Sequence, residues 1–312
     1  MSTDMKVSVA LLTYNHAQYI TQALDSVLMQ QVSFPIEIIV ADDCSTDGTR
    51  AVIEVYRKAN PSLFKLLPSV KNVGMQQNFR RLFFACKGQY IAMLEGDDYW
   101  TDRRKLHSQI AFMDQHLTCA LSGHKVQILD EGTQGGVRTG WERGAIPLLS
   151  PFRDLARCNF LVNCSVVWRN GLVDQFPDWI DGLDMADWPC HLLHAKFGQI
   201  GFIPEVMAMY RIHPTGIWSS ASPDKMHRRL LAASETMRDK FGKAFEADFD
   251  YGSRASLLQL AHYYRTKGDM KEARKWLREY MSNCYRNGKL LSLIRAAGWA
   301  VWRRGRTHQK LA

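Results

Sequence analysis

Three short apolar segments in the first hundred residues each end abruptly in a group of polar or acidic side chains. Each segment has the length and apolar composition of a buried strand, and residues with helical apolar spacing lie between the segments. Alternating strands and helices predict a mostly parallel sheet with helices on both faces, whose ligands bind at the carboxyl ends of the strands. We therefore expect one crevice lined by the three groups, which are Thr13-Tyr14-Asn15, Asp42-Asp43 and Glu95-Gly96-Asp97-Asp98.

The same reasoning assigns the rest of the chain. Apolar runs predict strands at residues 7–12, 36–41, 64–67, 90–94, 120–126, 160–168 and 198–204. Helical spacing predicts helices at 20–28, from 49, 76–86, 107–116 and 188–197, and throughout the region from residue 225. The predicted fold is therefore α/β, with an all-α C-terminal extension.

The acidic group follows a buried strand, where carboxylates repel one another and lose hydration. Such a group needs a compensating charge, and Mg²⁺ is typically held by one or two carboxylates together with substrate phosphates. The chain carries a formal net charge of +9, so a generally acidic surface does not explain the cluster. The alternative is a solvated acidic turn that binds nothing.

Composition and motifs exclude several classes of protein. No G-x-G-x-x-G follows the first strand and no G-x-x-x-x-G-K-[ST] occurs, so dinucleotide-binding and P-loop proteins lose their main support. The seven cysteines form no C-x-x-C pair and residues 1–6 show no secretory signal, which predicts a cytoplasmic location. Basic residues are dispersed until the end of the chain, which argues against nucleic acid as a partner.

The chain resembles the inverting family 2 glycosyltransferases of the GT-A fold, of the type that builds bacterial surface polysaccharides. The matching segments are VSVALLTYN at 7–15, IIVADDCSTDGT at 38–49, NVG at 72–74 with Asn78, and GQYIAMLEGDD at 88–98. The resemblance implies a Rossmann-like, mixed and mostly parallel sheet over residues 1–222. It also implies a nucleoside diphosphate sugar donor, with uridine or thymidine as the nucleoside, and Mg²⁺ or Mn²⁺ as the cofactor.

The resemblance also implies roles for individual residues. Asp42 would accept a hydrogen bond from the pyrimidine imide, and the family's D-x-D motif corresponds to Glu95-Gly96-Asp97. The first acid would contact the ribose and Asp97 the metal, with His213 as a further metal ligand. Glu95 departs from the family's first Asp, which changes the reach of that carboxylate. The donor-binding residues implied in this way are Thr13, Tyr14, Asn15, Asp42, Asp43, Asn72, Glu95, Asp97, Asp98 and Arg211.

An inverting sugar transfer needs a carboxylate that takes the proton of the acceptor hydroxyl. The resemblance places this general base at the family's Glu-Asp motif, which corresponds here to Ala186-Asp187. Because Ala186 replaces the Glu, the assignment depends on Asp187, with Asp184 as the alternative. Asp187 has a second interpretation, as the N-cap of the helix that begins near Trp188.

Two further segments bear on specificity. The region 131–144 is rich in glycine and charge, which is typical of a loop. In relatives the segment 209–219 is a loop near the diphosphate, where Trp218 could stack on a sugar face. That segment lacks the Q-x-x-R-W sequence of processive synthases and no apolar run approaches the ~20 residues of a membrane span, so transfer of a single sugar is expected.

The C-terminal extension, residues 223–312, combines two patterns. Apolar residues from Leu257 to Tyr280 match one tetratricopeptide-like helical hairpin, which alone cannot form a solenoid. The tail at 289–310 carries an apolar stripe with tryptophan among basic residues, which suits an anionic membrane surface. A terminal helix packed on the protein itself is the alternative. If the tail binds the inner face of the membrane, a lipid-linked glycan acceptor would fit.

Two other functions stay open from the sequence alone. A nucleotidyltransferase on a similar scaffold would explain the acids, but the glycine-rich phosphate loop expected after its first strand is absent. A binding protein with a vestigial pocket would explain the helical extension, but it would not need Asp42, Asp97 and Asp187. Glycosyl transfer is therefore the leading hypothesis.

Overall fold

The computed structural model describes residues 5–132, 135–139, 146–216, 218 and 220–288. These residues fall into two compact units, one within 1–155 and 159–219 and the other within 156–158 and 220–288. The first unit is a mixed α/β sheet flanked by helices and the second is helical, so the predicted fold class is confirmed.

The sheet of the first unit has a parallel half and a mixed half. Its strand order is β3-β2-β1-β4-β9-β6-β10-β5, with β7 paired to β6 and β8 paired to β10. Strands β1 to β4 are mutually parallel, and β9 joins β4 to β6 in antiparallel pairing. The strands are β1 Val7–Thr13, β2 Ile36–Asp42, β3 Phe64–Leu66, β4 Tyr90–Glu95, β5 Tyr99–Trp100, β6 Cys119–Asp130, β7 Gly136–Thr139, β8 Leu149–Ser150, β9 Val167–Arg169 and β10 Gln199–Ile212.

The helices follow the predicted alternation closely. Each helix of the first unit begins or ends within a few residues of its predicted bounds, apart from α5, which the sequence did not indicate. The α-helices are α1 Ile20–Leu28, α2 Thr49–Ala59, α3 Met75–Ala85, α4 Lys105–Gln115, α5 Phe152–Arg157, α6 Asp187–Ala195, α7 Pro223–Phe241, α8 Glu246–Thr266 and α9 Met270–Arg286.

Strand periodicity explains how the core forms. Alternate residues of β1, Val7, Val9 and Leu11, lie in one apolar cluster with side chains of α1, α2 and α4. Successive strand side chains point to opposite faces, so the intervening residues face α3, where Asn78 donates to the Ala41 carbonyl over 2.9 Å. Both faces are buried, as expected for parallel strands covered by helices.

The register brings the predicted polar groups to one edge of the sheet. Thr13 pairs with Asp42, and Leu12 pairs with Glu95. The carboxyl ends of β1, β2 and β4 therefore lie side by side, as the sequence predicted.

Two strand predictions were wrong. Residues 160–168 do not form one strand, because the segment turns through a 3₁₀ helix at Asn163–Ser165 before the short β9. The turn directs the Asn163 amide to Glu95, so this largely apolar segment supplies a hydrogen-bond donor to the acid. Residues 209–212 were expected in a loop. They instead form the end of β10 and pair with β6.

The second unit is a small helical assembly with its own core. Leu257 and Leu260 of α8 pack with Leu277 and Tyr280 of α9, which agrees with the predicted hairpin. Asp269 caps α9, accepting from two backbone N–H groups over 3.0 and 3.1 Å. None of the described helices combines the length and the apolar composition that crossing a membrane requires.

Two predictions concern segments that lie largely outside the described residues. The basic tail at 289–310 lies outside them entirely. Of the loop predicted at 131–144, the described part forms β7, a short strand that pairs with β6. Trp218 is described, and its proposed stacking on a sugar remains a prediction.

A buried lysine lies under the sheet edge that carries the acids. Lys105, the first residue of α4, is fully buried, and its Nζ lies 4.0 Å from the ring centroid of Trp100. The Nζ has no hydrogen-bond partner among the described residues. Burial lowers the pKa of Lys105 to about 7. The folded chain therefore releases a proton that the unfolded chain retains to a much higher pH.

We expect Lys105→Met to stabilise the first unit at pH 7 by about 3 kcal/mol, because methionine needs no proton or hydrogen-bond partner there. In the wild type the free energy of unfolding should rise with pH between about 7 and 10.5, since the unfolded state binds more protons over that range. Urea denaturation at pH 7, 8 and 9 would measure both effects. An equal pH dependence in wild type and variant would contradict the assignment.

Candidate functional site

The loop after β1 is tied to the loop after β2. The Asn15 side-chain Oδ1 accepts from the Thr46 N–H over 2.8 Å, and the Asn15 N–H donates to Ser45 Oγ over 2.8 Å. Asn15 has a φ of 55°, a left-handed conformation that asparagine tolerates better than most residues. Tyr14, by contrast, is 44% exposed. The loop therefore holds a fixed backbone and presents an aromatic ring to solvent.

Asp42 is the last residue of β2, and only one of its two carboxylate oxygens accepts hydrogen bonds from the described residues. Its Oδ1 accepts from the N–H of Ser45 over 3.2 Å and from the Ser45 hydroxyl. Its Oδ2 is buried and has no hydrogen-bond partner among the described residues, and Arg50 Nη1 lies 3.6 Å away. Buried acceptors are normally satisfied, so this oxygen is suited to an N–H of a ligand.

Asp43 organises the loop that precedes α3. Its two oxygens accept from the N–H groups of Val73 and Gly74 over 2.8 and 2.9 Å. Asn72, in the same loop, is exposed, and its Oδ1 lies 3.1 Å from the Gly74 nitrogen. Asp43 therefore stabilises this loop by accepting its backbone hydrogen bonds. Contacts of Asp43 and Asn72 with a sugar donor remain predictions.

Gly96 allows the acidic cluster to approach the β1 loop. A Cβ at this position would lie 2.5 Å from Thr13 Oγ1 and 2.9 Å from His16 Nδ1, which is closer than real Cβ contacts. Any larger residue would push the cluster away from Thr13, which is itself buried. The glycine between the two acids is thus required by space.

Glu95 is held by an amide and keeps its proton to unusually high pH. The Asn163 Nδ2 donates to Glu95 Oε1 over 2.6 Å. Burial, and then the negative charge of Asp97, raise the pKa of Glu95 to about 8. The charge of Asp187 adds to this shift, so Asp187 lies near enough to Glu95 to influence it.

Asp97 is bracketed by two imidazoles. Its Oδ2 lies 3.1 Å from His213 Nε2 and 3.7 Å from His16 Nε2. Burial alone would raise the pKa of Asp97, but the His213 hydrogen bond and the charge of His16 outweigh it and leave this pKa below its usual value. Asp97 is therefore the acid of the cluster that is ionised at neutral pH.

Asp98 and Arg211 hold the cluster to β10. Asp98 Oδ1 accepts from the Arg211 N–H over 2.8 Å, and burial, followed by the charge of Asp97, raises the pKa of Asp98 well above its usual value. The Arg211 guanidinium is 6% exposed and donates to protein acceptors: Asp97 O over 2.8 Å, Gln22 Oε1 over 2.6 Å, and Glu131 Oε1. These contacts give Arg211 a positioning role, and its contact with a phosphate remains a prediction.

Asp187 is the first residue of α6. Its Oδ2 accepts from Asn159 Nδ2 over 3.1 Å. Burial raises the pKa of Asp187, against the opposing effects of its hydrogen bonds from the Trp188 N–H and Asn159. A carboxylate with a raised pKa is a better proton acceptor than an ordinary one. Asp184, the alternative base, is exposed.

The loop before Asp187 is fastened to α3. Arg80 Nη2 lies 3.0 Å from Asp181 Oδ1, and Gln77 Nε2 donates to Asp181 Oδ2 over 2.8 Å. The Gln76 amide also donates to the carbonyl of Leu183. Helix α3 thus fixes the approach to the candidate base.

Three residues of the site were missed from the sequence: His16, Asn159 and Asn163. His16 directly follows the Thr13-Tyr14-Asn15 group, so its place in that polar loop was an available signal. The two asparagines lie at or near the segment predicted as a strand, where alternation gives no reason to expect side chains aimed at acids.

The residues around Asp97 suit a divalent cation. A carboxylate and an imidazole nitrogen 3.1 Å apart are both common ligands of first-row transition metals. Within the described residues, no three His, Cys, Asp or Glu side chains already form a complete ligand set. Further donors would therefore come from outside the chain, as phosphate oxygens do in many magnesium sites.

Known proteins resemble this chain in both sequence and fold. Protein Rv1520 of Mycobacterium tuberculosis is 34% identical over 294 residues, covering 92% of this chain and 78% of that protein. TuaG of Bacillus subtilis, a glycosyltransferase named for teichuronic acid biosynthesis, is 37% identical over 219 residues, covering 69% and 82%.

Two solved structures share the fold. Staphylococcus aureus TarS 1–349 with UDP-GlcNAc has a TM-score of 0.56 at 18% identity, covering 91% of this chain and 93% of that one. The mannosyltransferase PcManGT of Pyrobaculum calidifontis, with GDP-Man and Mn²⁺, has a TM-score of 0.59 at 16% identity, covering 97% and 88%.

The family model "Glycosyl transferase family 2" matches residues 8–171, a range that includes β1 apart from Val7, β2 to β4 and the whole acidic cluster. The sequence resemblance, the sheet order and this match agree, and the chain belongs to glycosyl transferase family 2.

Proposed function

We propose that this glycosyltransferase inverts the anomeric centre as it moves one sugar from a uridine or thymidine diphosphate sugar to a hydroxyl of a glycan. The observations that support the proposal are that Asp42 ends β2 beside β1, that the acidic cluster follows β4 on the other side of β1, and that the charges of Asp97 and Asp187 both reach Glu95. Family membership favours sugar transfer over nucleotidyl transfer. Three retained acids with distinct environments also argue against a vestigial pocket.

The donor nucleoside would bind at the ends of β1 and β2. Asp42 Oδ2, which accepts no hydrogen bond from the described residues, is suited to the imide N–H of uracil or thymine, and the exposed Tyr14 ring offers a stacking surface. Asn72, at the edge of the same region, could reach the base, and Thr13 and Asn15 keep the loop in place. Glu95, largely protonated at neutral pH, could share a hydrogen bond with a ribose hydroxyl without adding a further charge.

The diphosphate would bind near Asp97, the acid that stays ionised. Mg²⁺ or Mn²⁺ held by Asp97 and His213 would offset the charge that develops on the leaving diphosphate. Arg211 and Asp98 would keep Asp97 in position. The Arg211 side chain donates to the Asp97 carbonyl, and Asp98 accepts from the Arg211 N–H. Removing Asp97 should therefore affect the cation and the donor diphosphate together.

Asp187 would take the proton of the acceptor hydroxyl as the new glycosidic bond forms. The Asn159 amide orients its carboxylate, and burial raises the pKa of Asp187 in the direction that makes it a stronger base. The acceptor oxygen would then attack from the face opposite the diphosphate, which inverts the anomeric centre.

The acceptor is proposed to be a polysaccharide or a lipid-linked glycan at the cytoplasmic face of a membrane. TuaG, to which this chain is 37% identical, carries the name of a putative teichuronic acid biosynthesis glycosyltransferase. On α9 of this chain, Lys271, Arg274 and Arg278 are exposed at positions that share one helix face. That basic face, with the basic sequence at 289–310, supports peripheral contact with an anionic surface.

Replacing Asp187 with Asn should abolish transfer, by at least a thousandfold in kcat, because the amide cannot accept the proton. UDP binding should change little, since the nucleoside is proposed to bind at Tyr14 and Asp42 and not at Asp187. Isothermal titration with UDP and a transfer assay would measure the two effects. Asp178→Asn, at an exposed position of the same region, is the matched control, and Asp184→Asn tests the alternative base. Normal turnover in Asp187→Asn would place the base elsewhere.

Replacing Asp97 with Asn, or adding EDTA, should remove donor hydrolysis and transfer, because both treatments remove the cation from the diphosphate. A thermal-shift screen of UDP and dTDP sugars with and without Mn²⁺ would identify the donor, and the Mn²⁺-dependent part of the shift should vanish in the variant. Activity that survives both treatments would rule out the metal role.

Truncation after Gly288 should lower binding to vesicles with anionic lipids at least tenfold, because the truncation removes six basic residues and each contributes about 1 kcal/mol near such a surface. The triple variant Lys271→Glu, Arg274→Glu, Arg278→Glu should lower it further. Vesicle co-sedimentation at two salt concentrations measures both, with Lys240→Glu and Lys243→Glu as exposed controls. Unchanged partitioning would favour a tail packed on the protein.

A further inference from the structure

The amide that orients Asp187 is itself held in one orientation. Asn159 Nδ2 donates to Asp187 Oδ2 over 3.1 Å, and Asn159 Oδ1 accepts from the Leu161 N–H over 3.3 Å. Because the oxygen is engaged by the backbone, the amide presents its nitrogen to the carboxylate. The position of this nitrogen therefore depends on the backbone on either side of Asn159.

The segment that leads to Asn159 passes through the helical unit. Residues 156–158 belong to that unit, whereas Leu155 and Asn159 belong to the first unit. In the first unit, the Trp188 indole Nε1 donates to the Leu155 carbonyl over 2.9 Å. Trp188 directly follows Asp187, so the start of α6 contacts this segment both before and after residues 156–158.

Helix α8 contacts residues 156–158 at the level of the backbone. A Cβ on Gly252 would lie 2.5 Å from the Arg157 carbonyl oxygen and 3.4 Å from the Ala156 carbonyl oxygen. Real Cβ atoms do not approach an oxygen as closely as 2.5 Å, so only glycine at position 252 permits this contact. Glycine in a helix interior is less favourable than alanine by about 1 kcal/mol, and the close approach explains its presence in α8.

The Arg157 side chain adds a second contact with the same helix. Arg157 Nε lies 2.8 Å from Asp248 Oδ1, and the guanidinium lies 5.8 Å from the ring centroid of Tyr251. Asp248 is 3% exposed, and a buried carboxylate is strongly destabilised when its partner is removed. Helix α8 therefore holds position 157 through both backbone and side chain, two residues before Asn159.

We propose that α8 positions the general base: Gly252 and the Arg157–Asp248 ion pair fix residues 156–158, and through them the Asn159 amide that orients Asp187. The inference rests on the proposed role of Asp187 as the base. A displacement of about 1 Å at a reacting group can lower a rate by about a hundredfold. The helical unit thus contributes to sugar transfer without supplying a reacting group.

The competing explanation is that these contacts only stabilise the helical unit. Unfolding of part of the protein would lower transfer and the stoichiometry of UDP binding in proportion. A displaced Asn159 amide would instead lower kcat in molecules that still bind UDP. It would also raise the pKa of Asp187, because the Asn159 hydrogen bond lowers that pKa. The acid limb of the kcat profile would then move to higher pH, since the base must be ionised.

The test compares Gly252→Ala and Arg157→Ala with the wild type, as full chains. Each variant should lower kcat about tenfold or more, with UDP affinity and stoichiometry within about twofold of wild type. Arg157→Lys keeps a cation beside Asp248 and should restore most of the lost kcat. Gln259→Ala, at an exposed position of α8, is the control.

The pH profile of kcat supplies a readout that a loss of folded protein does not move. Its acid limb should shift to higher pH in Gly252→Ala and in Arg157→Ala. Glu95 and Cys190, whose pKa values the charge of Asp187 raises, are unchanged in both variants.

Asn159→Ala sets the limit of the effect. If α8 acts through this amide, Gly252→Ala should lower kcat no further in the Asn159→Ala background. Losses that multiply, an unmoved acid limb, or a fall in UDP stoichiometry that matches the loss of kcat would overturn the inference. Normal turnover in Asp187→Asn would refute the base itself. An essential Asp187 with normal kcat in Gly252→Ala would refute the role of α8 alone.

Discussion

The structure depends on the repulsion among three carboxylates placed within four residues at the end of a buried strand. Each acid is stabilised in a different way. Glu95 keeps its proton beside an asparagine amide, Asp97 lies between two imidazoles, and Asp98 binds a backbone N–H. The surroundings lower the pKa of Asp97 and raise those of Glu95 and Asp98, so the three acids differ in how readily they ionise.

The sequence predicted the parallel half of the sheet well because local patterns determine it. The apolar runs at β1, β2 and β4 are buried on both faces and end at polar residues, and the parallel pairing then aligns their ends. The positions of Asp42 and Asp97 follow from that alignment alone. The hairpin of α8 and α9 was visible for a similar reason, since apolar residues recur at helical spacing.

The site contacts that the sequence did not predict join residues far apart in the chain. Asn163 reaches Glu95 across 68 positions, and Arg211 reaches the Asp97 carbonyl across 114. No local periodicity encodes such pairs. The 3₁₀ turn at 163–165 was predicted as strand because apolar residues precede and follow it, although the turn is what brings the asparagine to the acid. Arg211 was expected to face a phosphate, and its protein partners became apparent only once β10 was in place.

Helix α3 is linked to two loops, the one at Asn72 and the one that leads to Asp187. Asp43 accepts hydrogen bonds from the loop that precedes α3. The side chains of Gln77 and Arg80 contact Asp181, in the loop that leads to Asp187. Gln77 and Arg80 lie in the N-terminal half of α3, next to the loop that Asp43 holds. The loop before α3 and the loop that leads to Asp187 therefore share one support, and a displacement of the start of this helix would loosen both.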